Sequence, residues 1–217
     1  MILFNQETKT FHLKTSKTSY LMKVLETGHL LHLYWGRPLK SENLDYTVRR
    51  KDWFSFVANT DNIDAFHLES KEQEYPGSTD LRSPAIELEF ADGTSATDFR
   101  YVDYKIVDGK PALEGLPATY VEADKEAQTL IITLTDKVKN VDVELSFTVF
   151  EEYNAIARSV KVINKSADDV KIQRVLSANV DFKDSKFEMI QLSGSWARER
   201  HIIRTPLRIG GQCVESR

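Results

Sequence analysis

The 217 residues are 41% apolar and 29% charged, with 33 acidic side chains against 29 basic ones and a net charge of −4. That is the balance of an ordinary globular chain, and it excludes disordered and collagen-like proteins. The charges are interleaved and mildly acidic, so there is no electrostatic case for nucleic acid or an anionic membrane as partner.

Three further features bear on where the chain works. No apolar run reaches the roughly 18 to 20 residues that span a bilayer. The start, Met1-Ile-Leu-Phe-Asn5, lacks a basic segment followed by an apolar stretch. Cys213 is the single cysteine, so no disulfide can form within the chain. A cytoplasmic protein with an ordinary hydrophobic core is expected.

In chain order, Lys9 to Thr15, Ser19 to Leu25 and His29 to Gly36 are predicted strands. Arg37 to Pro84 has few apolar repeats and is expected to be irregular, yet it carries Trp53, Phe54 and Phe56, which argue against disorder. Ala85 to Phe90 and Thr97 to Val107 are again predicted strands, with Asp92-Gly93 and Asp108-Gly109 supplying turn residues that tolerate positive φ. Thr129 to Thr135 predicts a strand buried on both faces. From Val141 to Val149 the odd positions are Val, Val, Leu, Phe and Val, and the even positions Asp, Glu, Ser and Thr. A strict period of two means one buried face and one wet one.

Ile156, Val160 and Val162 continue the pattern with Arg158 interrupting it. Val170 to Phe182 predicts a further strand, joined to the last by a hairpin turn at Asn164-Lys-Ser-Ala-Asp-Asp169. Gly194 to Arg204 breaks the alternation. No helical stripe is present, so the expected fold class is all-β, an antiparallel β-sandwich of one domain. The end, Ile209 to Arg217, stops mid-pattern, and the chain is expected to be the front piece of a longer polypeptide.

Candidate chemistry is sparse. His29 and His32 fall on opposite faces of a strand and cannot converge on one metal ion without a bulge. Cys213 has no nearby partner and is expected to be an inert small hydrophobe. Asn164-Lys165-Ser166 is expected to be a turn. Glu151-Glu152 and Asp168-Asp169 fall in solvated turns, with nothing to place them across a cleft as a catalytic pair. No catalytic residue, metal site or cofactor is expected.

Two loop features suit sugar binding: Asp52 beside Trp53, and Trp196 within Ser193-Gly-Ser-Trp-Ala-Arg-Glu-Arg200. An indole face stacks on the C–H face of a pyranose, and a carboxylate accepts from adjacent hydroxyls. Against this stands the ordinary reading, in which Trp53 and Trp196 are core aromatics and the charges a surface network.

A dozen phrases in order resemble the N-terminal domain of the bacterial α-galactosidases of glycoside hydrolase family 36. Among them are Gly28-His-Leu-Leu-His-Leu-Tyr-Trp-Gly36, Thr79-Asp-Leu-Arg-Ser-Pro-Ala85, Thr97-Asp-Phe-Arg-Tyr101, Gly115-Leu-Pro-Ala-Thr-Tyr-Val-Glu122 and Ser195-Trp-Ala-Arg-Glu-Arg200. The resemblance implies a β-supersandwich over residues 1–217, incomplete at its C-terminal end, followed in the family by a (β/α)8 barrel that is absent here.

It also implies a retaining α-galactosidase acting on melibiose- and raffinose-type oligosaccharides, whose nucleophile and acid/base aspartates lie on the barrel. The piece alone is then expected to be inactive. Asp52 and Trp196 match the family's sugar contacts from this domain, and Asp52 reaches a neighbouring subunit's site in tetrameric members. A homo-oligomer, a tetramer in the full-length protein, is therefore implied. The chain departs from the family where the stretch after Glu74-Tyr-Pro76 is shorter than usual and where His201 replaces an aromatic. The alternative is a non-catalytic carbohydrate-binding or oligomerisation module.

Overall fold

The structure, a computed structural model, describes residues 1–48, 84–115, 118–180, 182 and 184–214. These fall into two compact units, Met1–Asp181 and Phe182–Arg217.

The first unit is an antiparallel β-sandwich. Strands β1 (Ile2–Asn5), β2 (Thr10–Lys14), β3 (Ser19–Val24) and β4 (Leu30–Gly36) form one four-stranded sheet in chain order. Strands β6 (Arg100–Asp108), β7 (Gln128–Asp136), β8 (Val141–Phe150) and β9 (Ala155–Asn164) form the second, also in chain order. Between them in sequence lies β5 (Ile86–Glu89), which pairs with β10 (Lys171–Val175).

Alternation decides which side chains enter the space between the sheets. Phe11, Leu13, Tyr20, Met22 and Val24 enter it from β2 and β3, and Leu130, Ile132, Val143, Leu145 and Phe147 from β7 and β8. Rings meet across the layers: Phe11 lies 5.1 Å from Tyr104, and Tyr20 lies 5.9 Å from Phe147. Ile86 and Leu88 of β5 are fully buried in the same core.

The strand expected to be buried on both faces is so, with Thr129, Leu130, Ile131 and Ile132 all buried. On the outward face of β7 and β8, the Thr129 hydroxyl meets that of Thr148 at 2.8 Å and donates to the Gly109 carbonyl at 2.7 Å. Gly93 and Gly109 adopt φ of 76° and 75°, the left-handed backbone that glycine reaches without a Cβ penalty.

Arg158, which breaks the apolar pattern of β9, opposes Phe147 in the ladder. Its guanidinium lies 4.7 Å from the Phe147 ring and donates to the Tyr20 hydroxyl at 3.0 Å, so the charge enters the sandwich on an aromatic face.

The first sheet also has a covered outer face. Leu21, Leu31 and Leu33 make a second, smaller core with Leu39, Leu44 and Val48 of the segment after β4. Among the described residues that segment contains a 3₁₀ turn at Asp45–Thr47.

Three sequence expectations are corrected. Residues 164–169 do form an Asx-type turn, with the Asn164 Oδ1 accepting from the Ser166 amide and hydroxyl at 3.0 and 2.7 Å. The turn does not close a hairpin, however, because β10 leaves the sheet of β9 and pairs with β5. The strand predicted from Val170 to Phe182 ends at Val175. Its partner runs out there: Leu176 N–H donates to the Ala85 carbonyl, and Pro84 beyond has no N–H to continue a ladder. Cys213 is exposed.

The second unit is built on a two-stranded hairpin, β11 (Glu188–Ser195) with β12 (Arg198–Pro206). This replaces the irregular stretch expected over Gly194 to Arg204. Ile190, Leu192 and Ile202 share one face of it, by register, and are 54%, 65% and 67% exposed. Phe182 and Phe187 lie 4.7 Å apart within this unit.

Candidate functional site: the tip of the second hairpin

The candidate sugar contact Trp196 occupies the two-residue turn Trp196-Ala197 between β11 and β12, closed by the pair Ser195 and Arg198. The indole is 93% exposed, so it is not part of a core within this chain. A large apolar side chain held in water at the end of a hairpin gains nothing for folding, and its form suits a ligand with an apolar face.

The backbone there is shaped by specific residues. Ala197 takes φ of 62° and Arg200 φ of 60°, both in the left-handed region that residues with a Cβ rarely adopt. The register slips between Ser193 and Ser195, which places Gly194 at a bulge. A Cβ on Gly194 would lie 2.3 Å from the Arg198 carbonyl oxygen and 2.8 Å from the Glu199 Cα, so only glycine lets the two strands approach this closely.

Gly194 is the residue that sequence reasoning passed over. Its signal was there in the Ser193-Gly194-Ser195 run beside Trp196, since glycine inside a strand marks a bulge or a close backbone approach. The tip therefore offers an exposed aromatic face flanked by Arg198, Glu199, Arg200 and His201, all exposed. Chemically this is a stacking surface with hydrogen-bonding neighbours. Further down the hairpin, Arg204 and Glu188 form an ion pair at 3.1 Å.

The other sequence-predicted contact, Asp52, lies outside the described residues, as does Trp53. His29 and His32 are both buried. His29 Nδ1 lies 2.8 Å from the Thr27 hydroxyl and its Nε2 3.5 Å from an Asp98 carboxylate oxygen, whereas the His32 ring lies 4.9 Å from that of Tyr20. Among the described residues no group of three or more His, Cys, Asp or Glu side chains could hold a metal ion. Glu151, Glu152, Asp168 and Asp169 are exposed in their turns, as expected. No helix among the described residues is long and apolar enough to cross a membrane.

Comparison with known proteins gives these observations a family. The model of the glycosyl hydrolase family 36 N-terminal domain matches residues 28–217. The chain is 42% identical over 219 residues to alpha-galactosidase AgaA of Geobacillus stearothermophilus, covering 100% of this chain and 30% of that relative. Its fold is similar to the crystal structure of the GH36 alpha-galactosidase AgaB from the same organism, with a TM-score of 0.88 at 39% identity, covering 100% of this chain and 30% of that one. A variant of AgaA crystallised in complex with raffinose gives a TM-score of 0.86 at 40% identity over 96% of this chain and 29% of the other. The chain thus spans from 19% to 30% of the length of the curated relatives it matches. It belongs to glycosyl hydrolase family 36, as a representative of that family's N-terminal domain.

Proposed function

We propose that this chain is the N-terminal part of a cytoplasmic α-galactosidase that removes terminal non-reducing α-D-galactosyl residues from melibiose- and raffinose-type oligosaccharides with retention of configuration. The observation that carries the reading is the indole of Trp196, exposed at a hairpin tip whose backbone depends on Gly194. Family membership supplies the chemical class, and a relative that binds raffinose supports the substrate type.

Retaining hydrolysis takes two carboxyl groups, one attacking the anomeric carbon and one protonating the leaving oxygen and later activating water. On this reading both belong to a barrel domain outside residues 1–217, and this chain's part is to bind and orient the sugar. Trp196 stacks on the C–H face of the substrate. Asp52 accepts from its hydroxyls, across a subunit boundary in a tetramer, so the domain also serves as oligomer interface.

The test is made in the full-length enzyme. Trp196→Ala should lower kcat/KM for melibiose by the equivalent of roughly 1 to 3 kcal/mol, and Asp52→Ala by about 1.5 to 3 kcal/mol. The 217-residue chain alone should not turn over p-nitrophenyl α-galactoside. Unchanged kinetics in both variants, or hydrolysis by the pure chain, would reject this assignment.

A further inference from the structure

Residues 12, 19 and 42 are far apart in sequence and meet on the outer face of the first sheet. The Leu39 N–H donates to Ser19 Oγ at 2.9 Å. Ser19 Oγ lies 2.8 Å from His12 Nε2. His12 Nδ1 lies 3.4 Å from Glu42 Oε1, an ion-pair distance but not a formed hydrogen bond. Serine, histidine and carboxylate in this order are the parts of a hydrolytic triad. Here they cannot act as one, because Ser19 and His12 are 0% and 1% exposed and no acyl donor can reach the hydroxyl.

The arrangement does something else. Both Leu39 and Glu42 belong to the segment that covers the outer face of the first sheet, and both are tied to the same imidazole, one through Ser19 and one through Nδ1. Leu39, Leu44 and Val48 pack against Leu21, Leu31 and Leu33 beneath, and Lys23 pairs with Asp45. We propose that His12, clamped between Ser19 and Glu42, is a proton-sensitive latch that holds residues 38–48 on the first sheet and releases them under mild acid.

The donor order explains the sensitivity. The latch uses one Ser19 Oγ lone pair for the Leu39 N–H and directs the hydroxyl proton to His12 Nε2, an order that leaves the neutral ring with its proton on Nδ1, toward Glu42. In that order protonation turns Nε2 into a donor, and the Ser19 hydroxyl must turn its proton away from the ring. The charged groups around the ring are few. Glu42 faces it from the covering segment and favours the imidazolium, Lys14 on the same strand opposes it, and the cross-strand neighbours Leu3 and Leu21 are uncharged. Burial is the largest influence and holds His12 below the ordinary value of 6.5. A histidine whose folded value is depressed stabilises the closed state above 6.5, and that stabilisation is lost as pH falls below it.

Amide hydrogen exchange in the full chain tests this. After correction for intrinsic rates, opening of residues 39–48 should rise by up to roughly tenfold between pH 7 and about pH 5.5, the limit for uptake of one proton over one pH unit. His12→Gln keeps an acceptor for Ser19 without a titrating ring and should abolish the rise. Glu42→Gln, lacking the anion that favours the imidazolium, should extend the release to lower pH. An identical rise in wild type and His12→Gln would overturn the latch. Should His12→Gln fail to fold, NMR titration of the wild-type imidazole decides. A depressed value with the proton on Nδ1 supports the latch, and titration above 6.5 or a proton on Nε2 overturns it.

Discussion

The sandwich and the second hairpin put their large apolar side chains to opposite uses. In the sandwich, Phe11, Leu130, Leu145 and Phe147 are inaccessible to water, and their energy goes into holding two sheets together. In the hairpin, Trp196, Leu192 and Ile202 are each more than half exposed, and the local shape comes from backbone features at Gly194, Ala197 and Arg200. A side chain buried between sheets reports on folding, whereas one held out on a shaped turn reports on what it meets. The comparison teaches that mutations of similar size should separate cleanly into losses of stability and losses of recognition.

The largest effect expected is in the sandwich. Phe147 touches Tyr20 and carries the Arg158 guanidinium on its face, so Phe147→Ala leaves a cavity and strips a half-buried charge of its aromatic support. It should cost about 3 to 5 kcal/mol of stability, read from urea unfolding. Trp196→Ala, which removes an even larger side chain, should stay within about 0.5 kcal/mol of wild type because the ring is solvated. Equal losses in the two variants would erase the distinction between the regions.

Gly194→Ala should come next. The added methyl meets the Arg198 carbonyl oxygen at 2.3 Å, so the bulge must open, at a cost on the order of 1 to 3 kcal/mol. The damage should be local: amide shifts from Ser193 to His201 should move while those of β7 and β8 stay in place. If the proposed function holds, this variant in the full-length protein should copy the kinetic loss of Trp196→Ala, since the indole would remain but point elsewhere. Wild-type kinetics with an altered tip would show that the backbone geometry is not what the sugar reads.

How much of this was legible in the sequence follows from whether the determining interactions are local. The alternation of Val141 to Val149 is a property of one strand, and β8 follows it, Val141–Phe150. Gly93 and Gly109 announced positive φ through their own chemistry. The fate of Val170 to Phe182 depended on a partner more than eighty residues away in sequence, and alternation cannot count the residues of β5. The tip of the second hairpin was missed because Trp196-Ala197 lacks the Asn-Gly or Asp-Gly signature of a two-residue turn, although the structure puts Ala197 in the left-handed region all the same. The role of Trp196 as a sugar contact is implied by resemblance alone, and its exposure within this chain needed the fold. His12, Ser19 and Glu42 each look ordinary in sequence, because only the pairing of β2 with β3 and the return of the chain over Leu21 and Leu31 bring them together.

The smallest effect expected lies on the sandwich surface, where a charge cluster can be followed without touching either core. Asp92 accepts from the Thr94 amide at 3.0 Å, from the Thr94 hydroxyl at 2.6 Å and from Lys139 Nζ at 3.1 Å, and Lys139 also lies 4.5 Å over the Phe90 ring. The Thr94 hydroxyl, its amide and Lys139 favour the carboxylate and hold its pKa down to about 2, against an ordinary value of 3.8. A depressed carboxylate contributes stability above its unfolded value and loses it as pH falls through the folded one. The melting temperature of wild type should therefore exceed that of Asp92→Asn slightly at pH 7. The gap should hold down to about pH 4 and close toward pH 2. Because Asp92 is exposed, the gap should also shrink with added salt, unlike the loss caused by Phe147→Ala. A gap that persists unchanged at pH 2 would mean that the amide of the Asp92→Asn variant disturbs the turn itself, and that the cluster acts through shape and not through charge.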